Sequence, residues 1–156
     1  MSKSIVRATL GVAGLIVLGG LAQAQNAPRP QSYCLTSPNS IGSGATMGWF
    51  GSVQIGVNDF TLLVNEAVPE SKGLFLYGMD VQRLPFGNGY LCIAPPVHRL
   101  PGLLTVSDAG DAMYRIDLGI DANAMFAAGT SWNFQFWYRD ERTFNFSDGL
   151  NVVFAR

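Results

Sequence analysis

Apolar residues in this chain come in short runs separated by turn-forming residues, from Cys34 to the end. The runs at 45–50 and 52–57 are split by Gly51, and the run at 60–67 follows Asn58-Asp59. Residues 73–79 (Gly-Leu-Phe-Leu-Tyr-Gly-Met) are continuously apolar over the length of a strand. Further runs fall at 90–94, 103–107 and 112–118; 130–139 carries the strongest strand signal, and 151–154 closes the series. Short runs at regular spacing with turn clusters between them predict an all-β fold. The expected architecture is an antiparallel β-sandwich, jelly-roll or Ig-like, of about 8–10 short strands. The 18 glycines and 8 prolines supply the punctuation and oppose long helices. Only 121–127 suits a helical turn, with Asp121 as its N-cap. Ala94-Pro95-Pro96 must be a loop or an edge, because proline cannot donate to a sheet ladder.

The stretch 131–140, Ser-Trp-Asn-Phe-Gln-Phe-Trp-Tyr-Arg-Asp, sorts its side chains by alternation. Trp132, Phe134, Phe136 and Tyr138 share one face, and four aromatics in a row predict a core face. Asn133, Gln135, Trp137 and Arg139 share the other. Two amides, an indole and a guanidinium form a candidate ligand-binding strip, in which Trp137 would stack on a sugar ring and the amides would bond its hydroxyls. The plainer alternative is an ordinary sheet face with Trp137 lying under neighbouring side chains. Alternation alone leaves both open.

The first residues change the context of the fold. Lys3 and Arg7 make a positive start, 8–21 is uncharged and largely apolar, and Ala22-Gln23-Ala24 is a small-x-small pattern. These are the parts of a secretory signal peptide in order, so residues 1–24 are expected to be cleaved. A membrane-spanning helix needs about 20 apolar residues, and Gln23, Gln25 and Asn26 interrupt too early. Residues 25–32, polar and Pro-rich, read as a flexible leader before a single β-sandwich domain at 33–156. The expected location is extracellular or periplasmic, with no membrane span after cleavage. Losing Lys3 and Arg7 leaves 8 basic against 11 acidic residues, shifting the net charge from −1 to −3. That balance offers no basic patch for nucleic acid. Export also bears on the two cysteines. Cys34 and Cys92 are an even pair in an oxidising compartment, so one disulfide is the expectation.

Catalytic and metal chemistry finds little support. His98 is the sole histidine, between Pro96 and Pro101, and no Gly-x-Ser-x-Gly elbow accompanies it. Gly42-Ser43-Gly44 and Gly87-Asn88-Gly89 read as turns. The acids Asp108, Asp111, Asp117 and Asp121 cluster as calcium ligands would, but at no EF-hand spacing, and solvated turn acids are the preferred reading. Asn145-Phe146-Ser147 fits a glycosylation sequon. No cofactor is expected.

Five blocks occur in order along the chain. They are Leu74-Phe75-Leu76-Tyr77-Gly78; Leu84-Pro85-Phe86-Gly87-Asn88-Gly89-Tyr90-Leu91-Cys92; Arg99-Leu100; Asn133 through Asp140; and Phe144-Asn145-Phe146-Ser147-Asp148-Gly149-Leu150. With Tyr33-Cys34 at the start, the chain resembles a family of uncharacterised secreted bacterial β-domains carrying PFGNG-x-LC, FQFWYRD and F-N-x-SDGL blocks. The resemblance implies a module that often sits at the C-terminal end of larger exported proteins, and it implies no catalytic residues. The functional expectation is a secreted, non-enzymatic binding or structural module. Alternatives are a carbohydrate-binding module and a hydrolase with an unrecognised site. Candidate partners are an extracellular glycan, a cell-surface protein, or further copies of the chain joined through sheet edges, which the low charged fraction (13%) favours.

Overall fold

A computed structural model describes residues 28–119 and 125–156. The expected signal peptide 1–24, the start of the leader, and Asp121 with most of the expected helical turn lie outside the described residues. The described chain is all-β and sandwich-like, with eleven strands. These are β1 (Gln31–Tyr33), β2 (Thr46–Phe50), β3 (Thr61–Asn65), β4 (Lys72–Gly78), β5 (Val81–Phe86), β6 (Gly89–Ile93), β7 (His98–Arg99), β8 (Leu104–Thr105), β9 (Ala112–Arg115), β10 (Ser131–Asp140) and β11 (Thr143–Val153).

The aromatic strand β10 is central in the main sheet, whose order is β1-β11-β10-β4-β7, with β8 also on β4. Its even-numbered aromatics are buried as alternation predicts: Trp132, Phe134, Phe136 and Tyr138. They meet the inner side chains of a second sheet, β2-β3-β9, among them Met47, Leu62 and Val64. Phe75 joins from β4, its ring 4.7 Å from that of Phe136. Gly73 makes room for Phe136, since a Cβ there would collide with that ring. Burying this set supplies most of the driving force, at about 1.5–3 kcal/mol for each large side chain.

A third layer lies on the other face of the main sheet. The hairpin β5–β6 pairs only with itself, and it closes through Gly87, which takes a φ of 63°. Glycine reaches that conformation at no steric cost, which is why it opens a two-residue hairpin loop. Pro85 is tolerated in β5 because that strand is an edge. Ile93 and Leu91 from β6 pack with Leu76, Phe146 and Trp137 in a second apolar cluster.

That cluster depends on a bulge. On a regular strand Phe144, Phe146, Leu150 and Val152 would share one face. Between Gln135 and Trp137 the β10–β11 register shifts, so Gln135 faces Gly149 but Trp137 faces Phe146. The extra residue in β11 reverses the alternation. Leu150 and Val152 stay in the inner core, while Phe144 and Phe146 join the outer cluster. Ser147 holds the bulge, its hydroxyl accepting from Phe136 N at 2.9 Å and donating to Asp148 O at 2.7 Å.

The disulfide Cys34–Cys92 is present and joins the end of β1 to β6. It points to a non-cytoplasmic compartment. No helix among the described residues is long and apolar enough to cross a membrane. Three differences from the sequence reading stand out. β1 begins at Gln31, inside the stretch read as a leader. Residues 52–57 form no strand beyond a bridge at Gln54. The final strand runs over Thr143–Val153 rather than 151–154 alone, following a hairpin turn in which Glu141 has a φ of 51°.

Candidate functional site

The outer cluster does not fill its side of the sheet. A groove of about 440 Å³ remains between the β5–β6 hairpin and the strands β7 and β8. Its floor is set by register. Trp137 on β10 lies between Phe146 on β11 and Leu74 on β4. One row over, Leu76 on β4 lies between Gln135 and Arg99. Residues directly opposite each other on paired strands project to the same face, so Leu74, Leu76, Trp137, Phe146 and Arg99 all point to this side. Phe86 and Leu91 of the hairpin make one wall, and Val97, Arg99 and Leu103 the other. Phe86 and Leu103 are half to two-thirds exposed, at 52% and 60%. Large apolar side chains held open at a concave surface are the usual lining of a small-molecule site.

The four candidate strip residues divide into two pairs. Trp137 is half-buried and lines the groove. Arg139 is exposed, with its guanidinium 5.5 Å from the Trp137 ring centre, within reach of a cation–π contact. Asn133 and Gln135 are buried beneath the hairpin and do not line the groove. Gln135 is fully committed. Its Nε2 donates to Tyr90 O and Ser147 O, each at 2.8 Å, and its Oε1 accepts from Cys92 N at 2.9 Å. It behaves as a short piece of backbone, fastening β6 to a sheet with which β6 shares no ladder. Asn133 donates to Met79 O at 2.8 Å and accepts from Asn151 Nδ2 at 2.9 Å. The strip as a row of sugar-binding amides is therefore corrected: the amides hold the third layer in place. Nothing in the sequence marked the remaining groove residues as lining one site, because Leu74, Leu76, Leu91 and Leu103 sit in apolar runs that read as ordinary strands, and Val97 lies in a Pro-rich turn.

Other sequence candidates find structural roles. His98 stacks on Tyr77, with ring centres 5.2 Å apart, and the cysteines are bonded to each other, so no thiol faces it. Among the described residues no group of three His, Cys, Asp or Glu side chains is placed to hold a metal. Asp117 accepts from Asn58 at 3.0 Å and from Gly119 N at 2.9 Å. Asp111 lies on the turn before β9, its backbone N donating to Ser107 Oγ at 3.1 Å. Asn145 of the sequon is buried, its amide donating to Pro38 O at 3.0 Å and Asp140 Oδ2 at 3.3 Å. The folded domain leaves no room for a glycan there.

Two titrating groups on the opposite flank are perturbed. Burial raises the Asp148 carboxyl above its ordinary range, against hydrogen bonds from Met47 N and Ser32 that lower it. Burial also raises the Tyr33 hydroxyl, with the Asp148 charge adding to it. Both lie where β1 and β2 meet β11, and neither lines the groove. Comparison of the chain with protein-family models, with curated proteins and with solved structures gave no match.

Proposed function

We propose that this chain is an exported, non-enzymatic binding module that takes an apolar ligand into the groove on the outer face of its main sheet. The observation that carries the reading is the groove itself: apolar on its floor and, Arg99 apart, on its walls, floored by Trp137 and left open by the hairpin that covers the rest of that face. The signal-peptide pattern and the disulfide agree with export. The family resemblance supplies no catalytic residues.

The neutral dye N-phenyl-1-naphthylamine tests the site. It should bind with enhanced fluorescence, and Leu103→Glu or Phe86→Glu should weaken it about tenfold or more, because each sets a charge at the rim without touching the inner core. Equal affinity in both variants refutes the site. Carbohydrate binding remains the second reading, favoured by the Trp137 ring in the groove. With Asn133 and Gln135 occupied, it would rest on stacking alone. A polysaccharide pull-down unaffected by Trp137→Ala would remove that reading.

A further inference from the structure

One wall of the groove is not apolar. Arg99, on β7, lies opposite Leu76 and projects to the groove side. It makes no ion pair among the described residues. A second guanidinium, that of Arg139, stands beside the Trp137 ring. Arg99 is thus the charged group among the described lining residues, whose other members are Leu, Val, Phe and Trp. Among the described residues no carboxylate lines it.

We infer that the groove takes a single-chain carboxylate, with its apolar chain along Leu74, Leu76 and Trp137 and its head on Arg99. This rests on the groove being a ligand site and adds what the ligand is. The planar guanidinium presents paired N–H donors that match a carboxylate's two oxygens. Arg99 is itself exposed, so the head-group contact forms at the mouth of the groove. The chain end is served by burial, each methylene tightening binding by about fourfold, equivalent to about 0.8 kcal/mol. A volume of about 440 Å³ falls within the roughly 300–1,000 Å³ of small-molecule sites. A sugar would need several hydroxyl partners, and the lining supplies Arg99 and one indole N–H.

Calorimetric titration of the protein with decanoate and with decanol, both as monomers in solution, tests the head group and the groove separately. Decanoate should bind at least about tenfold tighter than decanol, the range for a hydrogen bond to a charged group. Arg99→Gln should bring the two to equal affinity, and Arg99→Lys should restore part of the preference. Equal affinity in the native protein overturns the head-group assignment and leaves the groove as an apolar site. Failure of both ligands to bind overturns the groove reading as well. Binding seen only to anionic vesicles, and not to monomeric decanoate, also overturns the inference, because the occupant would then be a membrane surface.

Discussion

Gln135→Leu isolates the feature on which the groove depends, the attachment of the hairpin. The glutamine side chain is completely buried and makes three hydrogen bonds, to Tyr90 O, Ser147 O and Cys92 N. Leucine has similar bulk and no polar atoms, so it leaves these backbone groups without that partner in a place water does not reach. Each orphaned buried group costs about 1–3 kcal/mol. The added apolar burial returns about 1–2 kcal/mol, so with three such groups the net loss is about 1–8 kcal/mol. That is a large share of the roughly 5–15 kcal/mol that holds a domain together. The loss should be local first, because Cys34–Cys92 still tethers β6 to β1. Urea unfolding should report the global change, and native-state hydrogen exchange should find the Cys92 amide released before those of β10. Gln135→Glu keeps the acceptor for Cys92 N but turns an oxygen toward two carbonyls, so it should be no more stable than the leucine variant. A loss below about 1 kcal/mol, with the Cys92 amide still protected, would refute the view that this side chain fastens the third layer.

Two further changes probe the supports of the fold around β1 and β11. Replacing Cys34 and Cys92 with serine opens a loop spanning 58 residues, which chain entropy values at about 4 kcal/mol; urea unfolding of the variant against the native protein measures it, and a change under about 1 kcal/mol would show the bridge to be structurally idle. Asp148 has a raised folded-state pKa because burial opposes its charge. The folded state therefore binds its proton more tightly than the unfolded chain, and Asp148's contribution to stability falls as pH rises from the ordinary carboxylate range through the raised value. Asp148→Asn keeps an acceptor for Met47 N, which Oδ1 now meets at 2.6 Å, and should flatten that slope in unfolding curves taken across pH; an unchanged slope contradicts the assignment.

Much of the inner architecture was legible in the chain. Alternation in 131–139 separated the four core aromatics from the other face, and the punctuation by glycine and proline located most of the longer strands. The outer face was not legible, for two physical reasons. Asn133 and Gln135 look like solvent-facing residues because amides are polar, yet they are buried by pairing with backbone at Met79, Tyr90 and Cys92, more than forty residues earlier. Such long-range satisfaction leaves no local pattern. The bulge at Ser147 also inverts the alternation in β11, so Phe144 and Phe146 change sides relative to Leu150 with no change in the spacing of apolar residues. Strands of two or three residues, β1, β7 and β8, are too short to show a period at all. Trp137 and Arg139 were picked out by residue type, and the hairpin that makes a groove beside them was not.

Chemical-shift mapping of the protein by NMR, titrated with monomeric decanoate, tests the central claim most directly. The account predicts saturable shifts concentrated on Leu74, Leu76, Val97, Leu103 and the Trp137 indole, with Asn133 and Gln135 unmoved. Shifts confined to the outer face of the β2-β3-β9 sheet, or no saturable shift at any site, would contradict it.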